Sequence, residues 1–291
     1  MHQNIIGGRL EILVDERAGF CRGVKRVISM AEQILDEKGE VVSLGEIIHN
    51  HEESERLEKL GMKVIDDEKF DFSEKFRGKA LLVRAHGTPA DTFIKAEKHG
   101  LNLINGTCPV VTRSQKLAGE YHEKGYQVVI VGKAHHPEVI GIQGYCNNEG
   151  VVVYHHEDLN LIDYQRKTFV LAQTTIPQEL FDEFIEIINS RIEDVEVKNT
   201  ICKFVLGRDK QLKEFVEKCD VVVMVGGRHS SNTRWLFDVC LENNPQSHWI
   251  ETKEEIKREW FNGAKYIGVT GSASTPQWLL EEVKEHIQAD R

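Results

Sequence analysis

The chain has 291 residues, of which 40% are hydrophobic and 29% are charged, and its formal net charge is −10. An acidic surface of this kind repels nucleic acid and anionic membranes, so we expect neither as a partner. The longest apolar runs are too short to cross a bilayer, and the first residues lack the apolar stretch of a signal peptide. Six cysteines in a chain of this length do not indicate a disulfide framework. We therefore expect a cytoplasmic protein whose cysteines are thiols or metal ligands.

The first third of the chain places a helix and two strands after a cysteine. Cys21 is followed by apolar residues at a spacing of about 3.6, which predicts a helix. A β run at 41–44 comes next and leads into a polar loop that contains His49. A second β run at 80–83 leads into another polar loop at His86.

The middle third repeats this order. A helix is predicted directly after Cys108, because the next residue is a proline, which suits a first helical turn. The β run at 128–131 leads into a polar loop at His136, and the run at 168–171 leads into one at Thr174.

The last third has the same components. A helical stripe of apolar residues follows Cys202. The β run at 221–225 leads into a polar loop that begins at Ser230, and the run at 266–269 is followed by a loop that contains Ser274.

The three thirds share one spacing. The marker residue of the first polar loop lies 28 residues after the cysteine in every third, and that of the second loop lies 65, 66 and 72 residues after it. Strands that alternate with helices indicate parallel α/β units. We therefore predict an α/β protein of three similar lobes with parallel-type sheets, at residues 10–104, 105–198 and 199–291, in a pseudo-threefold arrangement around a central site.

Three converging cysteines would form that central site. Ligands of parallel α/β sheets lie beyond the carboxyl ends of the strands, so Cys21, Cys108 and Cys202 would meet there. A zinc site of three cysteines and one histidine is one option, although zinc cysteines usually come in close pairs and this chain has none. A central iron–sulfur cluster is the other, and three ligands instead of the usual four would leave one iron open for substrate. The spacing favours the cluster and leaves zinc open.

The other three cysteines are predicted to be structural. Cys219 and Cys240 lie among apolar residues, where free cysteine is commonly buried. Cys146 lies in a loop and could be a reactive thiol.

Three of the polar loops precede predicted helices. They contain His49 and Asn50, His136, and the 230–232 run. Exposed N–H groups at a helix start bind phosphate well, but serine and asparagine there are also ordinary N-caps. Glu138 follows His136 closely, and it is either an acid that delivers a proton or a carboxylate that stabilises the helix start. Three converging loops favour an anion site, and both roles of Glu138 stay open.

Nine short segments carry a resemblance to a known family. They are Gly19-Phe20-Cys21-Arg22-Gly23-Val24, Ile48-His49-Asn50, Ala85-His86-Gly87, Gly106-Thr107-Cys108-Pro109, His136-Pro137-Glu138-Val139, Gln173-Thr174-Thr175, Thr200-Ile201-Cys202, Ser230-Ser231-Asn232 and Ala273-Ser274. Together they resemble the hydroxymethylbutenyl diphosphate reductase (IspH/LytB) family of the non-mevalonate isoprenoid pathway. Each segment alone is a weak signal, but the set covers nearly the whole chain and is highly specific.

The resemblance implies a 4Fe–4S cluster on Cys21, Cys108 and Cys202, with one open iron site that takes the substrate's hydroxyl. It also implies that Glu138 is a proton donor and that Thr174 is a second catalytic residue near the departing hydroxyl. The implied substrate-binding residues are His49, His86, His136, Thr174, Ser230, Ser231, Asn232 and Ser274.

The implied reaction is a two-electron, two-proton reductive removal of that hydroxyl, the last step of the pathway. Its products are isopentenyl diphosphate and dimethylallyl diphosphate, and the implied electron donor is a ferredoxin or a flavodoxin. His135, Phe204 and Ser272 depart from the family pattern, with glycine common at the first and last of these positions. The competing functions are a non-enzymatic iron–sulfur redox sensor of the same fold and a zinc hydrolase acting on a phosphorylated metabolite.

Overall fold

The computed structural model describes residues 10–66 and 69–289. The helices in these ranges are α1 (Arg22–Lys38), α2 (His51–Lys59), α3 (Ala90–Lys98), α4 (Pro109–Glu123), α5 (Pro137–Gln143), α6 (Gln178–Asn189), α7 (Arg208–Val216), α8 (Ser231–Asn243) and α9 (Gln277–Ala289). The strands are β1 (Glu11–Val14), β2 (Val41–Leu44), β3 (Met62–Ile65), β4 (Leu81–Val83), β5 (Leu103–Asn105), β6 (Gln127–Val131), β7 (Val151–Val153), β8 (Thr168–Ala172), β9 (Val195–Lys198), β10 (Val221–Val225), β11 (Ser247–Ile250) and β12 (Tyr266–Gly271). None of these helices is long and apolar enough to cross a membrane.

The described strands form three sheets of four strands each. Their orders are β3-β2-β4-β5, β7-β6-β8-β9 and β11-β10-β12-β1, and they are called here the first, second and third sheet. Every neighbouring pair of strands is parallel. The predicted α/β fold with parallel sheets is therefore confirmed.

The three sheets share one topology, but the third sheet is completed differently. In the first and second sheets the far edge is formed by β5 and β9, which follow their neighbours in sequence. In the third sheet this edge is β1, whose Leu13 pairs with Gly268 of β12. Residues 11–14 thus form a strand of the third sheet, although they fall inside the predicted lobe 10–104. Without β1, the edge of β12 would expose unpaired backbone groups.

The chain divides into two compact units. The smaller unit holds residues 10–21, 49–53 and 207–289 of the described chain and contains the third sheet. The larger unit holds residues 22–48 and 54–206 and contains the first and second sheets. The lobe boundaries and the pseudo-threefold arrangement of the lobes stay predictions.

The central strands are buried along nearly their whole length. All residues of β6, β8 and β10 are buried. An apolar strand without alternation is typical of a parallel sheet whose two faces are covered by helices. Helix α1 buries Val27, Ile34 and Leu35 on one face, as its apolar stripe predicts. Burial of each such side chain contributes about 1.5–3 kcal/mol relative to its exposure.

The helix after the third repeat cysteine begins later than the helices after the other two. Helices α1 and α4 start at the next residue, whereas α7 starts only at Arg208. The N–H groups of Val205 and Leu206 donate to the carbonyl of Cys202 at 2.8 and 3.0 Å, so a turn comes first. Gly207 then adopts a φ of +74°, which glycine tolerates without strain. The apolar stripe predicted this helix but not the turn before it.

Candidate active site

Each repeat cysteine follows the edge strand that completes a sheet. Cys21 follows β1, Cys108 follows β5 and Cys202 follows β9. Each backbone N–H donates to the loop after the strand that pairs with this edge: Cys21 to Ala273 at 3.1 Å, Cys108 to Ala85 at 2.9 Å and Cys202 to Thr174 at 2.9 Å. The sequence repeat begins at a cysteine, but the structural repeat ends there, with the cysteine tied to the second polar loop of its sheet.

The other three cysteines lie in a different environment. The repeat cysteines are half-buried, whereas Cys146, Cys219 and Cys240 are buried. Burial raises the pKa of the Cys146 and Cys219 thiols to about 11 and that of Cys240 to about 12. A buried thiol that stays protonated at neutral pH is a poor nucleophile. Its burial and raised pKa favour a structural role for Cys146 over a reactive one.

The two repeat cysteines of the larger unit suit a bound metal centre. The pKa of the Cys108 thiol is raised, first by burial and further by the negative charges of Cys202 and Glu138. A metal ion bound to the sulfur would lower this pKa, because its positive charge favours the thiolate. Thiolates select zinc, copper or iron–sulfur centres, so the donor set fits the group implied by the resemblance.

The turn before Cys108 is held on two sides. Arg26 of α1 donates to the carbonyls of Asn105, Gly106 and Thr107 at 3.2, 3.3 and 3.2 Å. A Cβ on Gly106 would lie 2.1 Å from the backbone oxygen at the end of β4. Only glycine allows this approach, so the position of Cys108 depends on the packing of β4 beneath it.

Glu138 and Thr174 form a buried pair in the larger unit. Glu138 is 2% exposed; its Oε1 accepts from the Thr174 backbone N–H at 2.7 Å, and its Oε2 accepts from the Thr174 hydroxyl at 2.8 Å. Glu138 lies in the first turn of α5 after β6, and Thr174 lies in the loop after the neighbouring strand β8. Adjacent parallel strands thus bring together the two residues to which the resemblance assigned catalytic roles.

The environment of Glu138 favours proton transfer over a purely structural role. Burial raises its pKa to about 7, although the two hydrogen bonds from Thr174 act against this rise. A carboxyl group with a pKa near neutrality can both hold and release a proton at working pH. A carboxylate that only stabilised the start of α5 would do so best when exposed and ionised.

His86 and His136 lie side by side in the larger unit. Their rings meet edge to face, with centroids 5.5 Å apart. His136 is the N-cap of α5, and its Nδ1 accepts from the Glu138 backbone N–H at 3.2 Å. Because Nδ1 accepts, the proton of the neutral ring is on Nε2, which is then a donor suited to an anion.

Two predicted helix starts of the smaller unit are capped by side chains. Ser230 Oγ accepts from the Thr233 N–H at 3.1 Å at the start of α8, and Asn50 Oδ1 accepts from the Glu53 N–H at 3.0 Å in α2. Capping uses only an acceptor atom of each side chain. The hydroxyl proton of Ser230 and the amide protons of Asn50 can therefore still be donated to a ligand. The capping role proposed as an alternative is therefore real, and it is compatible with anion binding.

The loops of the smaller unit lie close to one another. The Ser274 hydroxyl donates to the backbone oxygen of His49 at 3.4 Å, and a Cβ on Gly227 would lie 2.5 Å from that same oxygen. Among the residues that the structure describes, none bonds the buried side-chain oxygen of Asn232 in the first turn of α8. The unit therefore collects these predicted substrate-binding residues: His49, Ser230, Ser231, Asn232 and Ser274.

Two buried residues, Gln173 in the larger unit and Thr233 in the smaller, each link polar loops of their own unit. Neither of them had been assigned a role from the sequence. Gln173 accepts from the Lys133 N–H at 3.0 Å and donates to the Thr175 hydroxyl at 2.9 Å, which links the loops after β6 and β8. Its signal was a polar residue directly after a fully apolar strand. Thr233 Oγ1 donates to Ser272 Oγ at 2.7 Å, and no local pattern marks that contact.

The three departures from the family pattern differ in burial. His135 and Phe204 are exposed, so their effect on a pocket through packing is small. Ser272 is 1% exposed and lies in a network of hydroxyl groups.

Comparisons with known proteins point to one family. The family model described as LytB protein matches residues 12–288. A 4-hydroxy-3-methylbut-2-enyl diphosphate reductase of Aquifex aeolicus (strain VF5) is 40% identical over 283 residues, covering 96% of this chain and 96% of the relative. A protein of the same description from Chloroherpeton thalassium (strain ATCC 35110 / GB-78) is 38% identical over 308 residues, covering 96% of this chain and 97% of the relative.

Solved structures agree with the sequence matches. One is described as (E)-4-hydroxy-3-methyl-but-2-enyl diphosphate reductase, the terminal enzyme of the non-mevalonate pathway. It is 39% identical, with a TM-score of 0.73, and the match covers 96% of this chain and 99% of that chain. The E-1-hydroxy-2-methyl-but-2-enyl-4-diphosphate reductase from Plasmodium falciparum has a TM-score of 0.85 at 24% identity, covering 95% of this chain and 87% of that one. At that identity the second structure supports the fold alone.

Proposed function

The chain belongs to the LytB protein family, and from this premise we propose that it is a 4-hydroxy-3-methylbut-2-enyl diphosphate reductase. The reaction takes up two electrons and two protons, breaks the carbon–oxygen bond of the substrate's hydroxyl, and releases water. Its products are isopentenyl diphosphate and dimethylallyl diphosphate. The observation that carries the proposal is the buried Glu138–Thr174 pair, in a chain 40% identical to a reductase over 96% of its length.

We propose Cys21, Cys108 and Cys202 as the ligands of a 4Fe–4S cluster with one iron left open. This family depends on an iron–sulfur cofactor, and the half-buried thiols at the ends of the edge strands suit one. When bound, the cluster supplies single electrons and an iron atom that has no cysteine ligand. Burial raises the pKa of the Cys108 thiol, two backbone N–H groups at the start of α4 lower it, and a bound cation would favour the thiolate further.

Glu138 delivers a proton to the departing hydroxyl in this proposal. Its pKa of about 7 keeps a large share of the carboxyl groups protonated at neutral pH. The hydroxyl and the backbone N–H of Thr174 each bond one carboxyl oxygen and thereby fix the plane of the group. A hydroxyl that receives this proton leaves as water, which is a far better leaving group than hydroxide.

The diphosphate is bound mainly by neutral hydrogen-bond donors. His49, His86, His136, Thr174, Ser230, Ser231, Asn232 and Ser274 are the proposed binding residues. The chain has a net charge of −10. Hydroxyl and amide groups can still bind an anion in it, because they donate hydrogen bonds without carrying a charge themselves. The start of α8 adds backbone N–H groups that favour a negative ligand.

We propose a ferredoxin or a flavodoxin as the electron donor and the cytoplasm as the compartment. The reaction takes up its two electrons one at a time, which is how such carriers deliver them. The net charge of −10 argues against nucleic acid and anionic membranes as partners, in keeping with the proposed compartment.

Anaerobic turnover of 4-hydroxy-3-methylbut-2-enyl diphosphate with a strong chemical reductant tests the function. We expect both products from protein that contains iron and acid-labile sulfide. Zinc without sulfide would instead favour the zinc hydrolase. A cluster that is reduced and reoxidised without product would favour the redox sensor.

A further inference from the structure

Three buried hydroxyl groups of the smaller unit form a chain that begins in α8 and ends at Ser274. We propose that Ser272 is a positioning residue, which directs the hydroxyl proton of Ser274 outward to a phosphate oxygen of the substrate. This inference rests on the proposed function, since it takes Ser274 to be a diphosphate-binding residue. It assigns a role to Ser272, which stands where glycine is common in the family.

The chain of hydroxyls runs from the interior to the edge of the unit. Thr233 Oγ1 donates to Ser272 Oγ at 2.7 Å, and Ser272 Oγ lies 3.1 Å from Ser274 Oγ. The exposed fractions of the three residues are 0%, 1% and 9% in the same order. Of the three, Ser274 is therefore the one that has access to a ligand.

The direction of the hydrogen bond between the two serines follows from counting lone pairs. A hydroxyl has one proton and two lone pairs. Ser272 Oγ already accepts from Thr233 Oγ1 at 2.7 Å and from the Ser274 backbone N–H at 3.4 Å. The short bond from Thr233 uses one lone pair of Ser272 Oγ, and the long N–H contact faces the other. The single proton of Ser274 Oγ goes to His49 O, so Ser272 is the donor in the 3.1 Å contact and Ser274 Oγ is the acceptor.

The competing acceptor for the Ser272 proton is Thr275. Thr275 Oγ1 lies 3.4 Å from Ser272 Oγ, which is longer than a normal hydrogen bond between hydroxyls. Thr275 Oγ1 also accepts from the Ser272 backbone N–H at 3.0 Å and donates its own proton to Val225 O at 2.7 Å. The Ser272 proton therefore goes to Ser274, at the shorter distance.

The hydroxyl proton of Ser274 then points away from Ser272 and Thr233. Its acceptor in the smaller unit is the backbone oxygen of His49 at 3.4 Å, a long contact that a phosphate oxygen would improve on. Hydroxyls in series polarise one another, so donation from Thr233 through Ser272 strengthens the outward donor. Glycine at position 272 would leave the Ser274 hydroxyl free to rotate.

Thr233 connects this chain to the other phosphate-binding loop of the smaller unit. Its backbone N–H donates to the N-cap Ser230 Oγ at 3.1 Å, while its hydroxyl donates to Ser272. The same threonine thus orients the start of α8 and, through Ser272, the hydroxyl of Ser274. Thr233→Val removes the hydroxyl while keeping the backbone bond, and Thr233→Ser keeps both.

The test compares Ser272→Gly, Ser272→Ala and Thr233→Val in the holoenzyme. Calorimetry with inorganic diphosphate gives Kd, and turnover with a chemical reductant gives KM and kcat. We expect Kd and KM to rise about three- to tenfold, the effect of one hydrogen bond, with kcat nearly unchanged. Thr233→Ser should restore Kd to the wild-type value, which a purely packing role of Thr233 would not require.

Ser247→Ala is the matched control in the same unit. Ser247 is 5% exposed, and its hydroxyl donates to Asn244 O at 2.6 Å at the amino end of β11, away from the carboxyl ends of the strands. The Ser247→Ala variant loses one buried serine hydroxyl but leaves the hydrogen bonds among Thr233, Ser272 and Ser274 unchanged. We expect its stability to fall as in Ser272→Ala and its Kd for inorganic diphosphate to stay at the wild-type value.

Two results would overturn the role of Ser272. One is an unchanged Kd in Ser272→Gly and Ser272→Ala, and the other is an equal loss of binding in Ser247→Ala. If Ser272→Gly does not fold, Ser272→Ala and Thr233→Val decide the question. Wild-type protein that neither binds inorganic diphosphate nor turns over substrate would reject the proposed function, and the role of Ser272 with it, whatever the variants do.

Discussion

The Glu138 region of the larger unit and the hydroxyl chain of the smaller unit differ in charge: the first contains an ionisable group, and the second contains only neutral groups. Glu138 is a buried carboxyl group whose pKa is raised to about 7, so its charge changes near working pH. The chain of Thr233, Ser272 and Ser274 consists of neutral hydroxyls that keep their protons throughout. In the proposed function, one region moves a proton and the other binds an anion without moving one.

This difference predicts which kinetic constant each region controls. An interaction made only in the transition state changes kcat, whereas one made equally with bound substrate changes KM. Changes at Glu138 should therefore lower kcat, and changes in the hydroxyl chain should raise KM.

The largest effect tests the metal centre on which both regions depend in the proposal. Cys108→Ser replaces a thiolate ligand by a hydroxyl, which binds soft metals poorly. We expect turnover to fall to near background, a larger loss than that of the Glu138 variant below, together with a loss of bound iron and sulfide. Cys146→Ala, which removes a buried thiol of the same unit, should keep its iron. Full iron content and full activity in Cys108→Ser would refute the ligand assignment.

Glu138→Gln tests the proton-transfer side of the comparison. The amide keeps the size of the side chain but cannot deliver a proton, so kcat should fall about 10²- to 10⁴-fold. Iron content and KM should stay close to those of the wild type. Glu120→Gln, at an exposed carboxylate on α4 that pairs with Lys124, is the control for the loss of one glutamate. Near-normal kcat in Glu138→Gln would remove Glu138 as the proton donor.

The pH dependence of kcat tests the protonation state of Glu138. Burial raises its pKa to about 7, so the protonated, proton-donating form predominates below pH 7 and is lost above it. We expect kcat to decrease about tenfold per pH unit well above pH 7 and to level off below it. The residual activity of Glu138→Gln should lack this decrease. A kcat that stays constant from about pH 6 to 9 in the wild type would contradict the assignment.

Ser230 gives the smallest effect and separates capping from anion binding. Ser230→Ala loses the N-cap of α8, which costs about 1 kcal/mol of stability, and also loses a proposed donor to the diphosphate. Ser230→Asn keeps a good capping side chain but moves the donor atoms. We expect weaker binding of inorganic diphosphate in both variants and a lower melting temperature only in Ser230→Ala. Normal binding in Ser230→Ala would leave Ser230 with the capping role alone.

The strands and the polar loops could be predicted from the sequence because their signals are local. The apolar runs at 41–44 and 221–225 became β2 and β10 with the same bounds. Central strands of a parallel sheet have to be apolar on both faces, so a short continuous apolar run is a strong indication of such a strand. The pairing of Glu138 with Thr174 also follows from local order, since adjacent parallel strands end at one edge.

Local patterns could not predict two kinds of contact: those between segments distant in sequence, and those that depend on which group donates a particular hydrogen bond. The pairing of β1 with β12 has no signal in either strand, because any parallel edge strand of suitable length would serve. The turn after Cys202 depends on its carbonyl accepting two N–H groups instead of starting a helix. The role of Ser272 depends on which lone pairs its neighbours occupy, and residue type alone does not specify that.

The pairing of β1 with β12 has a consequence for the order in which the protein is made. Strand β1 has to wait for a partner some 250 residues later, so the third sheet can form only after β12 has been synthesised. Ala273, which fixes the backbone of Cys21, arrives equally late. The earliest of the repeat cysteines to be synthesised is therefore the last to be held in place, and cofactor assembly that needs it has to wait until Ala273 has been made.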